Sequence, residues 1–381
     1  MRILCLTATF LPTLGGSERI LDGLARSLEA LGHQTTVMAP HVRGEDGLPP
    51  APYRLLRYRR PSSKRFGVRQ LVLRLLWEQF RRPADVLHCH GAYPPGYVGL
   101  LFRRLTGVPV VVRPHGADIL PGEWIRRHAI LEPRVRRVMR EADAVIAQGR
   151  ELARESEALG ALPDRIRVVS NGVEIPAEIR RAPGEPPLLV GMGSLTLKKG
   201  FDLLLRAMPA VREAVPGCRL TLAGEGPERG RLADLARSLD LESVAELPGQ
   251  VVGEQKADLF VRAALFVLPS RREPFSNLLL ELLASGVPVV ATAVGGTPEI
   301  LGEPPAGVLV PPENPEEMAG RIVELLRDPA RRRDLERRAR RRAEMFAWPH
   351  MVDGYLETYR SVLASRPDRL SNQDLTSRQA R

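Results

Sequence analysis

The sequence predicts an α/β protein with two doubly wound parallel sheets, and three observations lead to that fold class. Short apolar runs alternate with helical stretches, a pattern typical of parallel strands joined by crossover helices. The alternation occurs in two series, separated by a segment rich in proline at 176–187. The length of 381 residues suits two or three domains of ordinary size.

The first series predicts an N-terminal domain over residues 1–175. Its first strand, at 2–8, is followed by a glycine-rich turn and by a helix that Ser17 is predicted to cap and Gly32 to end. Further apolar runs predict the remaining strands at 34–39, 54–58, 85–90, 109–113, 144–148 and 167–170.

The second series predicts a domain over 188–347, after the linker at 176–187. A final helix is expected at 348–364, and the polar, aperiodic tail at 365–381 is expected to be disordered. The strands of this domain are predicted at 188–192, 219–223, 244–247, 265–269, 288–292 and 307–310.

The chain is basic, with a formal net charge of +11, which favours polyanionic partners such as phosphorylated substrates or anionic lipid. The three cysteines are scattered and fit a reduced compartment. No apolar run approaches the roughly 18 residues of a membrane span, and the first residues lack the features of a signal peptide. The protein is therefore expected to be cytoplasmic. All but four of its 56 basic residues are arginines, the lysines being Lys64, Lys198, Lys199 and Lys256.

Residues 54–82 concentrate this charge, with Glu78 as their single acid. Apolar residues recur between Phe66 and Phe80 as on an amphipathic helix. One interpretation is an interfacial helix in peripheral contact with anionic lipid at the inner face of the membrane. The other is an ordinary packed helix with a solvated basic face. Nucleic acid is not expected as a partner, because aromatic residues make up only 5% of the chain and no binding motif accompanies the charge.

The stretch 271–286 predicts an anion-binding site. The apolar run before it predicts a buried strand, and Pro274 places the next residues in a loop. Ser276 or Asn277 is positioned to cap a helix that ends at Gly286. A helix that starts at the C-terminal end of a parallel strand points free N–H groups into a crevice, which suits a phosphate.

Two carboxylates bracket this predicted site. Glu273 lies in the loop before the helix, and Glu281 lies one turn inside it with its side chain inclined toward the helix N-terminus. A carboxylate beside a phosphate needs a reason, and accepting hydrogen bonds from a sugar diol is one. The alternative is that Glu281 is a solvated helix residue.

The Glu273-x7-Glu281 spacing is followed by Ala-Ser-Gly-Val-Pro-Val-Val-Ala-Thr, ending at Thr292, and by Val-Gly-Gly-Thr-Pro-Glu-Ile, ending at Ile300. This order resembles the donor-site signature of family 4 glycosyltransferases. The resemblance implies the GT-B fold, in which two Rossmann-like domains face each other across a cleft. It also implies a retaining, hexosyltransferase-type enzyme that uses a nucleotide-diphosphate sugar and a glycan, lipid-linked or small-molecule acceptor.

The resemblance carries roles onto matching residues. His115, in Arg-Pro-His-Gly-Ala-Asp, and Glu273 correspond to the catalytic residues that contact the donor sugar. Lys199 corresponds to the diphosphate-binding lysine and Glu281 to the residue that binds the ribose diol. The other donor-binding residues that the resemblance implies are Gly15, Gly16, Ser194, Val251, Phe275, Ser276, Asn277 and Leu278. A plain tight turn is the alternative interpretation of Gly15 and Gly16.

Ser194 departs from the family pattern, which usually has arginine at this position. A charge-assisted hydrogen bond contributes roughly 1.5–3 kcal/mol. Its loss would weaken donor binding on the order of ten- to a hundredfold, unless Lys198 or another basic residue compensates.

Neither a metal nor a cofactor is expected. The chain contains no Asp-x-Asp, so Lys199 and helix amides are predicted to stabilise the leaving diphosphate. His88, His90 and His115 suggest metal ligands by residue type, but no cysteine or carboxylate cluster accompanies them.

The sequence leaves three alternatives to an active glycosyltransferase. The first is a donor-site-impaired protein that acts as a binding or assembly partner, which Ser194 favours. The second is a nucleotide-sugar epimerase or a phosphorylase on the same fold, which the ordered signature disfavours. The third, a nicotinamide-dependent dehydrogenase, lacks the Gly-x-Gly-x-x-Gly fingerprint.

Overall fold

The computed structural model describes residues 1–13, 15–42, 50–59, 64–178 and 180–365. These residues form two compact units. Unit 1 comprises Met1–Gln148, Leu152–Val169 and the chain from Met351 onward, and unit 2 comprises Gly149–Glu151 and Ser170–His350. The segment 170–175, assigned to the first domain from sequence, thus groups with unit 2. The predicted disorder of the tail concerns residues that, from 366 onward, lie outside the described ranges.

Unit 1 contains a seven-stranded parallel sheet in its described residues. The strands are β1 (Arg2–Thr7), β2 (Gln34–Pro40), β3 (Arg54–Tyr58), β4 (Val86–His90), β5 (Val110–Arg113), β6 (Ala144–Ala147) and β7 (Ile166–Val168). The helices between them are α1 (Gly16–Ala30), α2 (Lys64–Arg81), α3 (Tyr97–Thr106), α4 (Trp124–Arg127), α5 (Glu132–Glu141) and α6 (Arg150–Ala158).

The strand order in unit 1 is β3-β2-β1-β4-β5-β6-β7, so the order reverses between β1 and β4. Thr7 pairs with His90, and His90 pairs with Arg113. The C-terminal ends of β1, β4 and β5 therefore lie side by side. Every residue of β4, β5 and β6 is buried, as expected for central strands covered by helices on both faces.

Unit 2 contains a six-stranded parallel sheet in its described residues. Its strands are β8 (Leu188–Met192), β9 (Arg219–Ala223), β10 (Ala245–Gly249), β11 (Leu265–Leu268), β12 (Val289–Thr292) and β13 (Val308–Val310). Its helices are α7 (Phe201–Ala214), α8 (Arg229–Ser238), α9 (Gly253–Arg262), α10 (Asn277–Ala284), α11 (Thr297–Leu301), α12 (Pro315–Arg327) and α13 (Pro329–Glu344). The last helix, α14 (Trp348–Ala364), groups with unit 1 from Met351.

The core of unit 2 has two parts, one on each face of the sheet. Leu189 and Val267 belong to a cluster with α7 and α12, whereas their neighbours Val190 and Phe266 belong to a cluster with α10 and α13. Neighbouring strand residues point to opposite faces, so both faces of the sheet are covered. The order β10-β9-β8-β11-β12-β13 reverses between β8 and β11, and this reversal positions the site described next.

The predicted fold class of two doubly wound parallel sheets is confirmed, and the predicted strands agree with the observed ones to within a few residues. The cap prediction for Ser17 is wrong. Helix α1 begins at Gly16 with Gly15 as its N-cap, so Ser17 lies inside the helix, where its Oγ donates to Glu18 Oε2 at 2.8 Å. None of the helices in the described ranges combines the length and the apolar character that crossing a membrane requires.

Candidate functional site

The loops that follow β8 and β11 form the centre of the candidate site in unit 2. They leave the sheet where the strand order reverses, which is where open α/β sheets bind ligands. The backbone N–H of Arg271 donates to the carbonyl of Lys198 at 2.8 Å. Gly200, at φ +64°, lies so close to the Pro269 carbonyl that a Cβ would stand 2.0 Å from that oxygen. Only glycine allows the two loops to meet here.

Lys199 and Glu273 form an ion pair between these two loops. Both side chains are mostly buried, with 28% and 12% of their surfaces exposed. The lysine predicted to bind a diphosphate and the carboxylate predicted to hold a sugar are therefore in contact. An ammonium is a compact charge on a flexible stem that suits either a carboxylate or a phosphate oxygen.

The Gly295-Gly296 pair supports the loop that carries Glu273. A Cβ on Gly295 would stand 2.1 Å from the Glu273 carbonyl, and a Cβ on Gly296 would stand 2.6 Å from the Pro274 carbonyl. The N–H of Gly296 donates to the Glu273 carbonyl at 3.1 Å. These two glycines of the predicted signature thus fix the backbone of the catalytic candidate.

Helix α10 begins at this loop. Ser276 is its N-cap, and the Ser276 Oγ accepts from the N–H of Leu279 at 3.2 Å. Asn277 Oδ1 accepts from Asn171 Nδ2 at 2.6 Å, which ties the first turn to the segment after β7. The early N–H groups of a helix have no partner within the helix, so this N-terminus offers donors and positive potential to an anion.

Glu281 lies one turn further along α10 and forms an ion pair with Lys256 of α9. The Lys256 Nζ also lies 5.5 Å from the ring centroid of Phe260, a cation–π distance. Sequence reasoning did not select Lys256. The scarcity of lysine in the chain was the available signal, because the helix packing that joins α9 to α10 cannot be read from local patterns.

Arg271 forms a second contact that the sequence did not reveal. Its guanidinium bonds both carboxylate oxygens of Asp202, at 2.6 and 2.9 Å, and its Nε lies 2.6 Å from Glu313 Oε1. The Asp202 and Glu313 bonds raise the pKa of Arg271 despite its partial burial. Burial alone would raise the pKa of Asp202, but Arg271 brings it below its usual value. Ser194 lies in the neighbouring loop and is exposed. Arg271 is already bonded to Asp202 and Glu313, so in this structure it does not take the place of the arginine expected at position 194.

Two other predicted donor-binding regions belong to other elements of the chain. Val251 follows β10 and is half-buried against the apolar cluster that includes α10. Gly15 and Gly16 lie in unit 1 at the start of α1. A Cβ on Gly15 would stand 2.1 Å from a carboxylate oxygen of Glu18, the movable end of a flexible side chain, so a plain tight turn remains an interpretation of this pair.

His115 lies in unit 1, just beyond the end of β5. Its backbone N–H donates to Asp118 Oδ1 at 2.8 Å, and the N–H of Ala92 donates to Asp118 Oδ2 at 2.6 Å. The Asp118 carboxylate therefore joins the loops after β4 and β5. Arg113 Nη1 lies 3.0 Å from His115 Nδ1. Because a guanidinium can only donate, Nδ1 accepts and the ring proton resides on Nε2.

The surroundings of His115 also favour its neutral form. Burial, followed by the charge of Arg113, lowers its pKa well below the usual value. The rings of His115, His90 and His88 form a row. The ring centroids of His115 and His90 are 5.0 Å apart, and those of His90 and His88 are 4.7 Å apart. Within the described residues, no three side chains among His, Cys, Asp and Glu are grouped as metal ligands.

Comparison with known proteins supports a single family. A model described as "Glycosyltransferase Family 4" matches residues 14–175, and one described as "Glycosyl transferases group 1" matches residues 174–342. The chain is 32% identical over 315 residues to a D-inositol 3-phosphate glycosyltransferase of Saccharomonospora viridis, covering 76% of this chain and 73% of that protein. A protein of the same name from Nocardiopsis dassonvillei is 31% identical over 307 residues, covering 74% of this chain and 71% of the relative.

The fold of this chain is similar to the folds of solved structures. Sucrose-phosphate synthase from Thermosynechococcus elongatus gives a TM-score of 0.82 at 21% identity, over 96% of this chain and 100% of that one. HepE from Anabaena in complex with UDP gives 0.80 at 21% identity, over 95% and 100%. These neighbours are GT-B proteins, so the fold of two parallel-sheet α/β domains is the GT-B fold.

Proposed function

Because this chain belongs to glycosyltransferase family 4, we propose that it transfers a sugar from a nucleotide-diphosphate donor, with retention at the anomeric carbon and without a metal ion. The observation that carries the proposal is the Lys199–Glu273 pair beside the N-terminus of α10. It brings a cation, a carboxylate and the backbone N–H groups of a helix N-terminus together at the point of strand reversal.

The leaving nucleoside diphosphate needs its developing charge stabilised. Lys199 supplies an ammonium. The start of α10, from Phe275 before the N-cap Ser276 to Asn277 and Leu278 in the first turn, supplies amide donors and the positive end of the helix dipole. These groups are the proposed reason that a metal is not required.

Glu273 and Glu281 are proposed to hold different parts of the donor. Once Lys199 turns to the diphosphate, Glu273 is free to accept from sugar hydroxyls, while Glu281 accepts from the ribose diol. Lys256 pairs with Glu281 Oε2 and is proposed to orient this carboxylate toward the ribose. His115, neutral with its proton on Nε2, is proposed to donate a hydrogen bond to the sugar in the transition state.

The proposal extends to the chemical class of the donor's nucleoside and of the acceptor. HepE binds UDP and UDP-glucose, and the first relatives are named for D-inositol 3-phosphate. Together with the net charge of +11, these names support a uridine-type donor and an acceptor that carries phosphate, whether small or lipid-linked. Product analysis with phosphorylated and dephosphorylated forms of one acceptor tests the latter point.

The decisive experiment is a screen of nucleotide sugars for binding and slow hydrolysis, with the anomeric configuration of any product read by NMR. Glu281→Ala should mainly weaken binding, and His115→Ala or Glu273→Ala should mainly lower turnover. Glu254→Ala, an exposed carboxylate on α9, is the matched control. Unchanged hydrolysis in all three site variants, an inverted product, or loss of activity with EDTA would contradict the corresponding part of the proposal.

One observation favours a second function. Ser194 removes a cation from the donor loop, which suits a donor-site-impaired protein that serves as a binding partner. Isothermal titration with UDP and GDP distinguishes the two functions, because the absence of binding at millimolar ligand favours the second.

A further inference from the structure

Helix α2 exposes large apolar side chains along its outward face. Leu73 is 66% exposed, Trp77 60% and Phe80 83%. Their spacing of four and three residues places them in one line along the helix. We call these three residues the apolar ridge.

The ridge residues are not part of the buried core of unit 1. The opposite face of α2 already packs into the core through Leu71, Val72 and Leu75. Glu78, the single acid between residues 54 and 82, is 5% exposed and paired with Arg54. The helix is therefore apolar on two sides, and its one acidic group is turned inward and neutralised.

Arginines border the ridge. Arg69, Arg74 and Arg81 are exposed, and all lie within one helical turn of a ridge residue. The Arg81 guanidinium stands 5.8 Å from the ring centroid of Trp77. The outward surface of α2 from residue 67 to 81 thus combines cations with protruding apolar groups and has no acidic side chain.

We propose that α2 docks unit 1 on a bilayer of anionic lipid, with the apolar ridge inserted at the headgroup boundary and the arginines on lipid phosphates. A ridge is convex, so it suits a deformable surface into which side chains can insert. Tryptophan is favoured at the membrane interface, and each basic residue near an anionic leaflet strengthens binding. Nucleic acid would engage the arginines but offers no apolar site for three adjacent large side chains.

Flotation of the full-length protein with lipid vesicles tests the proposal without donor or acceptor, so its outcome is independent of the proposed reaction. We expect binding to vesicles that contain phosphatidylglycerol and little binding to phosphatidylcholine alone. Arg69→Gln/Arg74→Gln/Arg81→Gln should weaken binding about fivefold for each arginine. Leu73→Gln/Trp77→Gln/Phe80→Gln should weaken it at least tenfold. Leu31→Gln/Leu162→Gln, at exposed leucines elsewhere in unit 1, should bind like the wild type.

Quenching by brominated lipid locates the contact. The wild-type fluorescence should be quenched by anionic brominated vesicles, and Trp77→Phe should lose most of that quenching while Trp124→Phe retains it. Equal binding to neutral vesicles, or no binding at low salt, would overturn the proposal. So would self-association in sedimentation that the ridge variant abolishes, because the ridge would then be a contact between copies of the chain.

Discussion

Each carboxylate of the Glu-x7-Glu pair is held by a lysine, in a chain that otherwise relies on arginine. Lys199 contacts Glu273, and Lys256 contacts Glu281. The neighbouring structural contact uses Arg271, whose planar fork bonds both oxygens of Asp202. An ammonium is a compact charge on a flexible stem and can change partners, whereas a bidentate guanidinium is geometrically fixed. The contact that the proposed ligand displaces, Lys199–Glu273, therefore uses the residue type that can change partners.

Lys256→Gln should weaken binding of a nucleoside diphosphate about tenfold. The substitution removes the cation paired with Glu281 and leaves the site with more negative charge near the ligand's phosphates. Titration calorimetry with UDP and with inorganic pyrophosphate is the measurement. A positioning role requires a larger loss for UDP, because only UDP carries the ribose diol.

Two variants control for general charge effects. Lys256→Arg should retain most of the affinity, and Arg262→Gln, which breaks an exposed ion pair with Asp258 on the same helix, should leave it unchanged. Equal losses for UDP and pyrophosphate would show that Lys256 acts only through its charge.

Ser194→Arg should tighten nucleoside diphosphate binding by about ten- to a hundredfold, the range of one charge-assisted hydrogen bond. The side chain is exposed, so the larger residue can be accommodated. Ser243→Arg is the matched control, since it adds the same charge at an exposed position at the N-terminal end of β10, whereas Ser194 follows the C-terminal end of β8. If both variants bind alike, Ser194 is not directed at the ligand.

At the scale of elements, the start of α10 is both a structural and a functional feature. Ser276→Ala removes the cap on the Leu279 N–H and should cost about 1 kcal/mol of unfolding free energy. It should also weaken UDP binding, because the first turn of this helix is proposed to hold the diphosphate. Denaturant melts and titration calorimetry measure the two effects.

Asn314→Ala provides a matched cap at α12, where Asn314 Oδ1 accepts from Glu317 N–H at 2.9 Å. It should cost similar stability with no change in UDP affinity. A loss of affinity in both variants would mean that the effect of Ser276 is only a general loss of stability.

Elements with regular periodicity were predictable from the sequence. The strands and the loop with Pro274 follow from local rules, and the structure confirms them. Local rules left Ser276 or Asn277 as the cap of α10, and the structure has Ser276 in that position. Lys256 and Arg271 were not predictable as partners of Glu281 and Asp202, because these contacts join residues 25 and 69 positions apart. Ser17 misled because two glycines precede it, and the helix begins at the second of them.

At the scale of the molecule, unit 1 should lose stability in mild acid. Burial and the Arg113 charge lower the pKa of His88 to about 3, and burial, His88 and Arg113 lower that of His90 well below its usual value. Both rings stay neutral in the folded protein, whereas the unfolded chain binds protons below about pH 6.5. The unfolding free energy should therefore fall between pH 6.5 and 5, by about 2 kcal/mol for each histidine.

Thermal and urea unfolding between pH 5 and 7 test this expectation. His90→Asn should flatten the pH dependence relative to its own stability at pH 7. His350→Asn, at an exposed position, should preserve the wild-type slope. A wild-type stability that is level or rises toward pH 5 would contradict the assignment of neutral buried rings.

Because the chain has only four lysines, acylation of their ε-amines can report whether a ligand occupies the site. Lys198 is exposed beside the partly buried Lys199, so one proteolytic fragment contains an internal reference and the reporting amine. Masses of fragments labelled with and without a nucleotide sugar would show which amine is shielded. In a protein with ordinary lysine content, the same footprint would be lost among dozens of reactive surface groups.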